Sequence, residues 1–215
     1  MSYKKTKLIP GNTQPVEVQQ EFISEYEKLK EKAENGDFHL LFFDPTHQVH
    51  NTINGTCWQT RGKKGTVIIK SNTGRRRISI LGALNALTGQ CSTVITENNC
   101  DKDMAIATFK QIRKDYPDNK NITIILDNAS YNHAYKTADE AKLLGITLVF
   151  LPTYSPNLNL IERLWKFVKK IVLKNRYYFT FANFKTAIEL FFQNIEIYTN
   201  NILNFLTHKF EILNA

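Results

Sequence analysis

Three short segments, FHLLFF at 38–43, ITIIL at 122–126 and ITLVF at 146–150, are nearly unbroken apolar runs. Each is too short for a helix and rich in β-branched or aromatic side chains, so each reads as a buried strand. A sheet of such strands must be covered, and the rest of the chain offers helices to cover it. Over residues 16–34, Val18, Phe22, Tyr26, Leu29 and Ala33 recur at helical spacing among charges, with Gly36 in the cap region that follows. Further helices are predicted over 101–115, 133–144 and 159–174, and two more from residue 181 onward. CWQTRGKKGTVIIK at 57–70, RRRISILGALNAL at 75–87 and CSTVITE at 91–97 read as additional strands, the first two parted by the turn SNTG. Strands in series, then alternating strand and helix, predict an α/β fold: a mixed β-sheet flanked by α-helices. Residues 38–215 form this domain, preceded over 1–37 by a basic linker and the amphipathic helix. With 215 residues, 42% of them hydrophobic, the chain can bury one substantial core.

Two of the apolar runs lead straight into an aspartate, Asp44 and Asp127. In open sheets of this kind, sites lie at the carboxyl ends of strands. A third acid, Glu162, falls in the first turn of the helix predicted over 159–174. Leu160, Leu164, Phe167, Val168 and Ile171 form the apolar stripe of that helix. At about 100° per residue Glu162 lies about 160° from Leu164, pointing away from the stripe. Taken singly, each acid has an ordinary use. Glu162 can complete a capping box with Asn159 or pair with Lys166, and an aspartate after a strand is usually a turn residue. Three carboxylates converging from separate elements repel one another unless a cation neutralises them. Oxygen ligands without a cysteine or histidine cluster suit Mg²⁺, with Mn²⁺ as a substitute. Two such ions about 4 Å apart can activate an attacking oxygen and stabilise the leaving oxygen of a phosphodiester.

The net charge of +8 fits a polyanionic partner such as a nucleic-acid backbone. Three cysteines, Cys57, Cys91 and Cys100, show no CxxC spacing, which favours a reducing compartment and argues against a zinc site. No apolar run approaches the roughly 18 residues of a membrane span, and no signal peptide leads the chain. The expected location is the cytoplasm, in association with the nucleoid.

Four stretches, FFDPTHQVHN, NTGRRRISILGALN, IILDNASYNHA and LPTYSPNLNLIERLWKFVKK, resemble the DDE transposases of the IS630/Tc1/mariner superfamily. The resemblance runs from about residue 38 to 195, and the 34 residues between Asp127 and Glu162 match the D34E spacing of that group. It implies an RNase H-like fold over 38–215 with C-terminal helices, and Asp44, Asp127 and Glu162 as a metal-binding catalytic triad. It also implies excision and integration of a DNA element at TA dinucleotides, and a homodimer in the DNA complex. Such transposases carry an amino-terminal helix-turn-helix region, and the residues before 38 are too few for one. The expectation is therefore that this region is absent here or supplied by a separate polypeptide or reading frame.

Around the triad, His47 and Asn128 are candidates for a supporting or DNA-contacting role. Arg75 and Arg77 share one face of their strand and, with Lys166 and Lys169 beside Glu162, are candidate phosphate contacts. His133 is read as a helix cap, Trp58 and Trp165 as packing residues, and Phe181, Phe184, Phe191 and Phe192 as core or interface. Two other readings compete: an RNase H-fold nuclease that only hydrolyses, and a non-catalytic DNA-binding remnant of a transposase.

Overall fold

The computed structural model describes residues 11–62 and 65–213, so most of the predicted basic linker, together with Lys63 and Lys64, lies outside the described residues. The chain opens with α1 (Val16–Glu34), where Phe22 and Tyr26 are buried among otherwise exposed charges. Gly36 takes φ +86°, and the amides of Gly36 and Asp37 bond back to Ala33 and Lys32, closing the helix end as the cap signal predicted. There follow β1 (Phe38–Val49), β2 (Arg77–Asn85), β3 (Cys91–Thr96), α2 (Lys102–Asp115), β4 (Asn121–Leu126), α3 (Tyr135–Leu143) and β5 (Ile146–Phe150). Then come α4 (Ile161–Val168), a π-turn at Lys169–Leu173, α5 (Phe181–Gln193) and α6 (Thr199–Leu206).

The five strands form one sheet in the order β3-β2-β1-β4-β5. β1, β2 and β3 pair antiparallel, whereas β1, β4 and β5 run parallel. This is the mixed, helix-flanked sheet that the sequence predicts. Side-chain alternation splits the core between its two faces. Leu40, Phe42, Ile78, Ile80 and Ile125 pack with α1, α4, α5 and α6, while Leu41, Phe43, Leu81, Ile124 and Leu126 pack with α2 and α3. Burial on both faces explains why the central strands lack a polar alternation.

The structure corrects several local readings. β1 does not stop at Phe43: it runs through Asp44 to Val49, paired with β2 along that whole stretch. Its pairing with β4 does end there, at Phe43–Leu126, so Pro45 costs no ladder bond on that side. The strand predicted at 57–70 is not formed among the described residues, which follow an irregular excursion between β1 and β2. Trp58 on that excursion is fully exposed rather than packed, and so is most of Ile68. The excursion is tied down at its base by an Ile53–Lys174 bridge and by the Gly55 amide bonding to Asn175 Oδ1 at 2.8 Å. The helix predicted over 159–174 is α-helical only to Val168 and then widens into the π-turn. The phenylalanines Phe181, Phe184 and Phe191 are core, as expected.

Candidate active site

The register of the parallel pair places the first two acids. Phe43 of β1 stands opposite Leu126 of β4, so Asp44 and Asp127 are the next residues on neighbouring strands running the same way. Both follow residues of the α2 face, and alternation turns them toward the α4 face. α4 starts after the loop leaving β5, and its buried residues Ile161, Leu164, Trp165 and Val168 fix the helix on the sheet. Glu162, in the first turn, is then left on the side of the strand ends. Asp44, Asp127 and Glu162 all line one cleft of about 450 Å³, together with Asn128, Asn159 and the loop Leu151–Pro156.

Each carboxylate has a distinct setting. Asp127 Oδ1 accepts from the Asn132 amide at 2.9 Å and from the Ala129 backbone amide at 3.2 Å. Asp44 accepts at Oδ2 from the indole N–H of Trp165 at 3.2 Å, and Asn159 Nδ2 approaches Oδ1 at 3.5 Å. Burial pushes the Asp44 carboxyl up to about 8, with repulsion from Glu162 and then Asp127 adding to it and the Trp165 hydrogen bond opposing. Burial also raises Glu162, while Lys166 and then Lys169 pull it back down. The capping use of Glu162 is not taken up. Asn159 makes no side-chain cap on α4, its amide being directed to Asp44 and the Phe43 carbonyl instead.

The donor set fits a divalent cation. Three hard oxygen ligands face one cleft, and mutual repulsion marks the place as short of positive charge. Among the described residues, no three His, Cys, Asp or Glu side chains stand at metal-cage spacing, so the acids ring the cleft without closing on its centre.

The supporting candidates divide. Asn128 does line the cleft, but its Nδ2 donates to the Leu151 carbonyl at 2.6 Å, stapling the end of β5 to the turn after β4. His47 falls on the opposite face of β1 from Asp44, where its Nδ1 meets Ser79 Oγ at 3.0 Å. Burial, followed by the nearby Arg77, lowers its pKa. Arg75 and Arg77 are exposed at the start of β2, with Arg77 bonded to Asn99 Oδ1 at 2.8 Å. Arg76 between them is a packing residue, lying over the Phe181 ring at 3.7 Å and bonded to Glu97. Lys166 and Lys169 lie on the Glu162 side, close enough to act on its charge. His133 does not cap α3, whose N-cap is Ala134; it stacks on Phe150 at 4.2 Å and meets Asn128 Oδ1. Asn132 carries no mark in the sequence and Asn159 reads there only as a cap, whereas Trp165 is packed in the core as expected and reaches Asp44 with its N–H besides. The signal was present as Asn159, Glu162 and Trp165, three residues apart and therefore on one broad side of a helix.

Residues 39–185 match the family model described as DDE superfamily endonuclease, a span containing all three acids. The chain is 28% identical over 139 residues to the insertion element IS630 uncharacterized 39 kDa protein of Shigella sonnei, covering 64% of this chain and 40% of that protein. It is 32% identical over 77 residues to the uncharacterized protein y4pE/y4sA of Sinorhizobium fredii (strain NBRC 101917 / NGR234), covering 36% of this chain and 55% of that one. The chain thus spans about half the length of these curated relatives. Its fold is similar to the Mos1 mariner paired end complex with Mn, at TM-score 0.69 and 13% identity over 96% of this chain and 64% of that one. The catalytic domain of Mos1 mariner transposase is matched at TM-score 0.58 and 11% identity, over 90% of this chain and 88% of that domain. The RNase H-like expectation is met by these folds.

The raised Asp44 pKa has a consequence for stability. The unfolded chain ionises Asp44 near 3.8 and the folded chain only near 8, so the folded state holds an extra proton between those values. Stability of the metal-free protein therefore falls as pH rises from about 4 to about 8 through this group. Asp44→Asn should flatten that slope, melting near the wild type at pH 4.5 and at or above it at pH 8 in EDTA. Parallel melting profiles for the two proteins would contradict the assignment.

Proposed function

This chain belongs to the DDE superfamily endonuclease family, in the IS630/Tc1/mariner group, and on that footing we propose that it performs metal-dependent DNA cleavage and strand transfer for an insertion element. Asp44, Asp127 and Glu162 are the proposed catalytic residues and the ligands of two Mg²⁺ ions, for which Mn²⁺ substitutes. The observation that carries this reading is that acids from two strands and one helix line a single cleft. Bound Mg²⁺ supplies the activation of the attacking oxygen and the stabilisation of the leaving oxygen. The residues of the chain hold that arrangement in place. The β1–β4 register keeps Asp44 and Asp127 level, Asn132 fixes one Asp127 oxygen, and the apolar face of α4 pins the helix that presents Glu162. Burial and the neighbouring acids hold the metal-free Asp44 carboxyl near 8, so a cation held there would draw off its proton.

The substrate in this proposal is double-stranded DNA, both the ends of the element and a TA target. In this reading Lys166 and Lys169, which act on the charge of Glu162, meet backbone phosphates flanking the scissile bond, with Arg75 and Arg77 as further phosphate contacts. Such contacts give affinity and position rather than base choice. Mos1 paired-end complexes, which share the fold, motivate a dimer on DNA; recognition of the element's ends is assigned in this proposal to a helix-turn-helix segment of the same or another polypeptide. No helix among the described residues is long and apolar enough to cross a membrane.

Asp127→Asn should lower Mg²⁺-dependent nicking of supercoiled plasmid by about 10²-fold or more, since even residues that only orient ligands cost about 10–100-fold. Nicking at the wild-type rate in this variant would remove Asp127 from the mechanism. Joining of a pre-cut element end to plasmid, assayed in parallel, separates strand transfer from hydrolysis alone. For the basic side chains, binding to duplex DNA should weaken steeply with salt, and replacing both Lys166 and Lys169 by alanine should reduce the slope of log affinity against log salt by about 2. An unchanged slope would place the DNA elsewhere.

A further inference from the structure

Trp165 is buried, yet its indole N–H is directed at Asp44. The space it occupies is made by a glycine. Gly82 of β2 stands directly opposite Asp44 in the β1–β2 register, and a Cβ built there would lie 2.6 Å from Trp165 Cη2. Any side chain at 82 would collide with the indole and force it to shift. Trp165 follows Glu162 by three residues on α4, and Asn159 precedes Glu162 by three, just ahead of the helix; both donate toward Asp44, one to each oxygen. The helix that carries the third acid therefore also grips the first.

We infer that Trp165 is a positioning residue for Asp44, its indole N–H fixing the carboxylate, through the gap left by Gly82, in the orientation needed to share a divalent cation with Glu162. The inference rests on the metal-binding reading proposed above. Indole nitrogen is a donor only, so it holds one lone pair of Oδ2 and leaves the other to coordinate, as the Asn159 amide at Oδ1 leaves one there. Three residues of helix rise about 4.5 Å, which sets Trp165 one turn beyond Glu162 and makes the Asp44–Glu162 relation a property of one rigid element. A tryptophan serving only as packing would fill the same volume whichever way its nitrogen pointed.

The test removes the N–H and keeps the ring. In a Trp58→Phe background, Trp165 is the single tryptophan, and biosynthetic replacement by 3-benzothienylalanine exchanges N–H for sulfur in a side chain of nearly the same shape. Mn²⁺ affinity, read from the free-ion electron paramagnetic resonance signal, should weaken by about tenfold, with the metal-free melting temperature little changed. Gly82→Ala provides a second route without altering Trp165, and it should weaken Mn²⁺ binding in the same direction. Undiminished affinity in both proteins would overturn the positioning role. Asp127→Asn is the control for the underlying site: Mn²⁺ binding by the wild type that this variant retains in full would overturn the metal site itself, and the inference with it.

Discussion

The parallel pairing of β1 with β4 sets the position of everything at the cleft. Because Phe43 stands opposite Leu126, the residues that follow are Asp44 and Asp127, level with each other and turned to the same face. A slip of one residue would turn one of the acids into the α2 and α3 layer. The register is held by what lies beneath: Phe42 and Ile125 in one apolar layer, Phe43 and Leu126 in the other. Hydrophobic burial on both sides of two strands thus fixes the separation of two charges.

Those charges are costly where they stand. Asp44 is desolvated and repelled by both of its fellow acids, and it keeps its proton to about pH 8. A fold that needed only stability would place an apolar residue there. The surroundings instead support the carboxylate, with an indole N–H reaching it from α4 and an asparagine amide from the segment just ahead of that helix. Asp127 is supported locally, by Asn132 and the Ala129 amide within its own turn. The two aspartates are therefore anchored differently: one by its own loop, the other by the helix that delivers Glu162.

Much of this was legible in the sequence, because each signal had a local cause. Unbroken apolar runs marked the buried strands, and the stripe through Leu164 and Val168 marked the buried face of α4 and hence the free side of Glu162. What was not legible depended on partners. Val67, Ile68 and Ile69 have strand chemistry, but among the described residues no strand pairs with them, and they stay in the excursion. Asp44 looked like a strand end because Pro45 and polar residues follow, yet β2 carries β1 on to Val49 after β4 has stopped. His47 is close to Asp44 in sequence but three residues of alternation put it across the sheet. Trp165 and Gly82 lie more than eighty residues apart, and only their contact shows why one is a glycine and the other reaches an acid.

The central claim is that Asp44, Asp127 and Glu162 hold divalent metal in one cleft. Anomalous diffraction from crystals grown with Mn²⁺ tests it directly. One or two anomalous peaks bounded by these three carboxylates are expected, with Trp165 still donating to Asp44. Crystals whose Mn²⁺ peaks lie elsewhere, with Glu162 turned from the cleft to pair with Lys166, would contradict it.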